Sequence, residues 1–142
     1  MVSITREQDN FLNKIATVRL FDEKGQPLAS VNTIHNLPGN IMLFADIDLF
    51  NVDATKNYIL SVSLGQPDTF REEFLLGAVV NIEQDQLSNT ITETVGKAHI
   101  SFQFSVPILT IGDYKLIFDL IQDNHHCSTI THYVSFSRSN VK

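Results

Sequence analysis

Strict alternation of apolar and polar side chains at residues 98–108 limits the possible folds more than any other feature of the chain. Every even-numbered residue in this segment is apolar, and the odd-numbered residues from His99 to Ser105 are polar. A period of two is typical of a β-strand with one buried face. A slip of one residue would expose the whole apolar set, so the register of this strand is well specified. Together with the apolar segment at residues 114–121, it predicts two neighbouring antiparallel strands of a β-sandwich.

Turn signals divide the rest of the chain into further short apolar segments. The turn at residues 22–27 predicts a hairpin, and a Pro-Gly-Asn turn at residues 38–40 precedes an apolar face. Further strands are predicted at residues 41–50, 58–64, 75–82 and 127–138, with a short edge strand at residues 90–95.

The Thr69 and Glu72 pair matches a helix capping box, which favours one or two helical turns in residues 70–76. The chain is therefore expected to be all-β. We predict an antiparallel β-sandwich, immunoglobulin-like or a similar Greek key, with seven to nine strands and at most one short helix.

The length of 142 residues fits one domain with a sizeable core. Residues 1–14 are expected to form a polar N-terminal lead-in, residues 15–138 the single β-sandwich domain, and residues 139–142 a C-terminal tail.

Charge and composition restrict the partners of this chain. Its 10 basic and 16 acidic residues give a net charge of −6, and the basic residues are scattered, so no nucleic-acid partner is expected. Its apolar runs fall far short of the about 20 residues that a membrane helix needs, so no membrane partner is expected. The N-terminal residues lack the apolar core of a secretory signal, and the lone Cys127 cannot form an internal disulfide. A cytoplasmic location is therefore expected.

Gly112 and Tyr114 form a candidate tyrosine corner. In immunoglobulin-like sandwiches a tyrosine near the start of a strand sends its hydroxyl to a backbone group just upstream. Tyr114 follows the turn at Gly112 and precedes Leu116 by two residues. Gly112 would relieve the tight turn, and Tyr114 would bury its ring while satisfying its hydroxyl. An ordinary strand tyrosine is the alternative.

Two segments resemble a group of uncharacterised small bacterial immunoglobulin-like β-sandwich proteins. The first is the Pro-Gly turn at residues 37–39 with Met42 and Phe44 after it, and the second is the Gly-x-Tyr segment at residues 112–114. The polar connection at residues 84–96 departs from that pattern. The resemblance implies a sandwich architecture and a bacterial source, and it implies no activity.

His125, His126 and Cys127 are the densest group of potential metal ligands. Zinc ligands must converge within about 4 Å of one another. In an extended strand His126 and His132 would lie roughly 20 Å apart. Only His125 with Cys127, or His126 with a group from another loop, could therefore share an ion. A solvated hairpin tip is the alternative, and no metal site or cofactor is predicted.

Apolar side chains on both faces of two segments indicate a possible contact surface. Met42, Phe44 and Phe50 lie opposite the inward face of residues 41–49 by parity, and Ile117 and Ile121 lie opposite the inward face of residues 114–120. An exposed apolar patch marks a partner surface, so these five residues are the partner-binding candidates. A central strand covered by a loop is the alternative.

No catalytic motif stands out, so the chain is not expected to be an enzyme. The predicted function is a non-enzymatic interaction module that acts by self-association, as a possible homo-oligomer, or by binding another protein. The alternative is a small-ligand-binding sandwich whose site lies among the loops at residues 36–40, 68–73 and 123–126. A third possibility is a metal-dependent or histidine-based enzyme that uses His132 and a loop carboxylate.

Overall fold

A computed structural model describes residues 10–34, 38–67 and 72–138, and these residues form eight strands and one 3₁₀ turn at Gln84–Gln86. The predicted all-β sandwich is confirmed. The strands in chain order are β1 (Lys14–Phe21), β2 (Val31–Ile34), β3 (Gly39–Asp53), β4 (Tyr58–Gly65), β5 (Glu73–Val80), β6 (Val95–Ile108), β7 (Gly112–Gln122) and β8 (His125–Arg138).

The strands form two sheets that face each other. The three-stranded sheet has the order β1-β3-β6, and the five-stranded sheet has the order β2-β8-β7-β4-β5. All neighbouring strands are antiparallel except β2, which runs parallel to β8. Antiparallel sheets commonly bury one face and expose the other, which explains the alternation in the sequence.

The core lies between the inner faces of the two sheets. Leu43 and Ile47 of β3 and Phe118 and Leu120 of β7 have no exposed surface. The Phe104 ring of β6 meets the Phe118 ring of β7 edge to face, with centroids 6.1 Å apart. This contact joins the two sheets, and it confirms the inward direction that parity predicts for Phe104.

Two predicted secondary-structure elements differ from the structure. Residues from Glu73 onward are strand and not helix, because they pair with β4 from Leu64 to Tyr58. Thr69, on which the helix prediction depended, lies outside the described residues. The predicted edge strand at residues 90–95 is absent, since this segment contains bends and β6 begins only at Val95.

The hairpin between β7 and β8 is tighter than expected. β8 begins at His125, and the turn consists of Asp123 and Asn124, whose φ angles are 47° and 68°. Two positive φ angles are typical of a type I′ turn, whose backbone twist matches that of the flanking strands. Asp and Asn tolerate this conformation better than most residues, which explains why the strand continues to His125.

Tyr114 makes the hydrogen bond that its sequence position predicts. Its hydroxyl donates to the backbone oxygen of Thr110 at 2.6 Å, and its ring is buried against Phe136. Gly112 has a φ of 139°, which residues with a Cβ rarely adopt. Glycine is therefore required here by the backbone and not by crowding, since a Cβ at Gly112 would meet no atom within 4 Å.

Part of the predicted N-terminal lead-in is attached to the domain. The Asn13 backbone N–H donates to Asn51 O at 3.0 Å, and the Asn13 amide donates to Gln122 at 3.0 Å. The Tyr58 hydroxyl donates to Asn13 Oδ1 at 2.6 Å. Asn13 therefore connects three strands, and only residues before Asn10 lie outside the described part of the lead-in.

Candidate functional site

A row of aliphatic side chains crosses the outer face of the five-stranded sheet. Val79 of β5 lies opposite Ile59 of β4, and Ile59 lies opposite Ile121 of β7. Val79 is 71% exposed and Ile59 is 43% exposed, while Ile121 is half-buried. We call these three residues the aliphatic row. It extends from the edge of the sheet to its central strand.

Phe74 adds an aromatic ring to the same face of β5. It lies opposite Ser63 and is 66% exposed. A Cβ placed on Gly77 would approach Phe74 Cζ to 3.1 Å, so the ring lies over this glycine. An aromatic side chain over an edge glycine covers backbone that would otherwise face solvent. Phe74 and Val79 thus flank Gly77 on the outward side of β5.

β5 is also an edge strand. It is the terminal strand of its sheet, and no other described segment pairs with its free side. Glu73 is the only charged residue among its eight. Natural edge strands are usually protected by lysine, proline or bulges, and β5 has one irregularity, near Leu75. From Leu76 to Val80 its edge carries no such protection.

The five partner-binding candidates lie on opposite faces of the sandwich. Met42, Phe44 and Phe50 are on the outer face of the three-stranded sheet, whereas Ile117 and Ile121 are on the outer face of the five-stranded sheet. One contact surface cannot contain all five. Parity indicates on which side of its own strand a residue lies. It does not indicate which strands share a sheet, and therefore it cannot indicate which residues share an outer face.

Ile117 is a poor contact residue. It is 7% exposed, because the central strand β7 is flanked on both sides, by Ser63 and Thr131 at this position. Phe44 is 38% exposed and Phe50 is half-buried, with Lys97 Nζ 4.6 Å from its ring centroid. The most exposed apolar residues of the two outer faces were missed by the sequence-based prediction. They are Phe74, Val79 and Tyr133.

A polar network separates Phe44 from Phe50 on the three-stranded sheet. Asp48 accepts hydrogen bonds from the Thr17 hydroxyl at 2.7 Å and contacts Arg19 at 3.2 Å and His99 Nδ1 at 2.9 Å. The hydrogen bonds from Thr17 and His99, with the nearby Arg19 charge, hold the pKa of Asp48 below its usual value. These contacts link β1, β3 and β6 side by side.

The same network contains a serine next to a histidine. His99 Nε2 lies 3.2 Å from Ser101 Oγ, and His99 Nδ1 contacts Asp48, so the order of groups resembles a catalytic triad. Ser101, however, donates its only hydroxyl proton to Asp46 at 2.6 Å. This proton is therefore directed at Asp46 and not at His99, whereas the nucleophile of a triad donates its proton to the histidine. The network is suited to joining strands and not to nucleophilic catalysis.

Asp48→Asn tests the electrostatic part of this network. A pKa below the unfolded value means that the ionised form stabilises the fold above about pH 4, and that this contribution disappears as the pH falls through the lowered pKa. Because Asp48 is partly exposed, we expect a loss below about 1 kcal/mol at pH 7. Urea unfolding at pH 7 and pH 3 should show the difference between variant and wild type shrinking at pH 3. A constant difference would contradict the assigned role of the charge.

The three candidate metal ligands do not converge. His126 Nε2 contacts Asp119 at 2.8 Å and also meets Thr129, while Cys127 Sγ lies 3.4 Å from His125 O. Within the described ranges, no three His, Cys, Asp or Glu side chains are grouped so that they could hold a metal ion. His126 serves as a cross-strand partner of Asp119 on the outer face of the five-stranded sheet.

The described residues of the loops proposed as a ligand site lie at two different ends of the sandwich, and residues 36–37 and 68–71 of these loops lie outside the described ranges. Gly39 pairs with Ile108 and Glu73 pairs with Leu64, so these two residues lie near the start of β7. The hairpin tip at residues 123–126 follows the end of β7, an 11-residue strand, roughly 33 Å away. Among the described residues, the hairpin tip therefore does not share one site with Gly39 and Glu73.

His132 faces inward, as parity predicts. Its ring meets the Phe118 ring edge to face at 6.1 Å. It also lines an open cleft of about 420 Å³ between β1 and β8, whose other walls include Val18, Leu20 and Leu28. Among the described residues, no carboxylate lines this cleft, so this part of the structure does not bring His132 together with a loop carboxylate there.

Comparisons with known proteins add little to this geometry. No family model matches the chain, and no curated protein matches it in sequence. Two structures of a beta-glucosidase from Listeria innocua, one in complex with glucose, are similar to it at 8% and 9% identity, with TM-scores of 0.43 and 0.44. The matches cover 85% and 89% of this chain but 16% of each beta-glucosidase chain. A likeness at this level carries no argument about function.

Among the described residues, no helix has the length and apolar character needed to cross a membrane.

Proposed function

We propose that this chain is a non-enzymatic interaction module that binds protein through the outer face of its five-stranded sheet. The single observation that carries this proposal is the exposure of Phe74 and Val79, at 66% and 71%, beside the bare edge of β5. Exposed apolar side chains that continue into a sheet edge are typical of protein contact surfaces.

The opposite face is a weaker contact surface. Its apolar residues Phe44 and Phe50 are separated by Asp46 and Asp48, whose carboxylates are already engaged by neighbouring side chains. A partner that covered this face would have to desolvate those carboxylates, which is costly. The aliphatic row itself carries no polar side-chain groups, and the engaged carboxylate on its face, that of Asp119, lies on β7 opposite Ser61 and not within the row.

The proposal includes an immunoglobulin-like topology for the sandwich. The pairing of β3 with β6 in one sheet and of β4, β7 and β8 in the other corresponds to the arrangement of immunoglobulin domains, with β5 as an added strand beside β4. The Tyr114 hydrogen bond at the start of β7 supports the same assignment. The free Cys127 accords with a reducing compartment, and we place the protein in the cytoplasm of a bacterial cell on this basis and the sequence resemblance.

A pair of matched variants tests the contact surface. Ile59→Glu places a charge in the centre of the aliphatic row, and Phe44→Glu places the same charge on the opposite face at similar exposure, 43% against 38%. We expect wild type and Phe44→Glu to associate equally, with themselves or with a protein captured from a lysate and identified by mass spectrometry. Ile59→Glu should reduce the association at least tenfold.

Either of two results would overturn the proposed surface. One is that wild type, Ile59→Glu and Phe44→Glu all stay monomeric and all capture the same proteins. The other is a loss of association in Phe44→Glu while Ile59→Glu behaves as wild type.

A further inference from the structure

We propose that the occupant of the β5 edge is a second copy of this chain, paired antiparallel along β5 about a twofold axis at Ala78. This inference rests on the proposed contact surface and specifies its partner. The two five-stranded sheets would then form one continuous sheet of ten strands. Edge pairing of this kind supplies main-chain hydrogen bonds, while the side chains determine the register.

The inward and outward directions of the β5 side chains restrict the possible registers. Leu76, Ala78 and Val80 lie opposite the inward residues of β4, and Gly77 and Val79 lie opposite its outward residues. Antiparallel residues that face each other must point to the same side of the sheet. A twofold axis at Ala78 satisfies this requirement, because Leu76 then faces Val80 of the second copy and Gly77 faces Val79.

The two outward residues are complementary in size. Gly77 has no side chain, and the Phe74 ring lies beside the space that a Cβ would occupy, 3.1 Å from it. In the proposed register Val79 of the second copy lies beside Gly77 and packs against the Phe74 ring that covers this glycine. By symmetry the contact occurs twice, and it covers the two most exposed apolar side chains of β5. Gly77 and Val79 belong to the same strand, so a second copy of β5 presents each of them opposite the other. This fit favours a second copy over an unrelated partner.

Charge does not oppose the pairing. No residue from Leu76 to Val80 is charged, and Glu73 lies outside the five paired positions. The edge strands of the three-stranded sheet, in contrast, carry basic residues. These are Lys14 and Arg19 on β1 and Lys97 on β6. The net charge of −6 on each copy produces only a long-range repulsion, which salt screens. We therefore expect association to strengthen with ionic strength.

Sedimentation velocity over a concentration series tests the dimer. Wild type should shift from the 16.0 kDa of one chain towards twice that mass as concentration rises. Val79→Lys should remain monomeric at every concentration, because it places a charge against the Phe74 ring and Gly77 of the second copy. Val31→Lys is the matched control, since Val31 is 62% exposed on β2, the other edge of the same sheet, and it should dimerise as wild type does.

Disulfide formation tests the register. In a Cys127→Ser background, Ala78→Cys places two thiols on the twofold axis, with Cα atoms about 5 Å apart, within the range that a disulfide spans. In the Leu76→Cys variant, each thiol faces Val80 of the other copy. The two thiols are then four residues apart along the strands, roughly 13 Å. The Ala78→Cys variant should therefore cross-link much faster under mild oxidation. Faster cross-linking of the Leu76→Cys variant would overturn the register.

The failure of this inference can be separated from the failure of the proposed function. A wild-type protein that is monomeric at all concentrations, or a Val79→Lys variant that dimerises as wild type does, overturns the second copy as occupant. If such a monomer still captures a protein that Ile59→Glu does not, the contact surface stands and its partner is a different protein.

Discussion

Phe118→Ala is expected to lower the free energy of unfolding by about 3 to 5 kcal/mol, the range for a fully buried phenylalanine. Phe118 has no exposed surface, and its ring meets Phe104 from the other sheet and His132 from the neighbouring strand. Removal of the ring leaves a cavity between the sheets that the surrounding β-strands can close only partly. Since domains are stable by about 5 to 15 kcal/mol, the variant should be near the limit of folding.

Denaturation in urea, followed by tyrosine fluorescence and circular dichroism, measures this loss. Val31→Ala is the control, because Val31 is 62% exposed on β2, outside the proposed contact surface, and its loss should change stability by no more than about 0.5 kcal/mol. Equal losses in the two variants would mean that the packing between the sheets is not as described.

Tyr58→Phe is expected to cost about 1 to 3 kcal/mol although it removes a single oxygen atom. Tyr58 is 1% exposed, and its hydroxyl donates to Asn13 Oδ1 and accepts from the Asp53 backbone N–H at 2.8 Å. Burial raises the pKa of this phenol, so the hydroxyl keeps the proton that it donates. In the Tyr58→Phe variant, the Asp53 backbone N–H would lose the phenol oxygen that accepts its hydrogen bond inside the protein.

A local effect distinguishes this role from a general loss of packing. The Asn13 backbone N–H is held by Asn51, and the side chain of Asn13 is held by Tyr58, so Tyr58→Phe should speed amide exchange at Asn13 more than in the core of β7. Tyr133→Phe is the control at a position that is 76% exposed, and it should leave both stability and exchange unchanged. Unchanged exchange at Asn13 in the Tyr58→Phe variant would contradict this assignment.

The alternation of apolar and polar residues predicted the features of the fold that are determined within a single strand. The inward direction of Phe104 and His132 and the backbone contact of Tyr114 follow from parity and from the position of one glycine. Such features are local, because a strand with one buried face carries its own orientation in its sequence.

The contact surface could not be predicted in the same way, because it depends on which strands are neighbours. The capping signal at Thr69 and Glu72 is local, whereas β5 is a strand because it pairs with β4, and pairing prevails over a weak helical preference. For the same reason the sequence-based candidates included only Ile121 of the aliphatic row. Its three members, Val79, Ile59 and Ile121, come from three strands and meet only through the register of β4 with both of its neighbours.

Hydrogen exchange at the amides of β5, measured at low and at high protein concentration, tests the central claim most directly. The free side of an edge strand exposes backbone N–H groups that exchange rapidly unless another strand pairs with them. We predict that raising the concentration slows exchange between Leu76 and Val80 and leaves the amides of β2, the other edge of the same sheet, unchanged. Exchange in β5 that does not depend on concentration, or protection that appears instead around Met42 and Phe44, would contradict self-association through this edge.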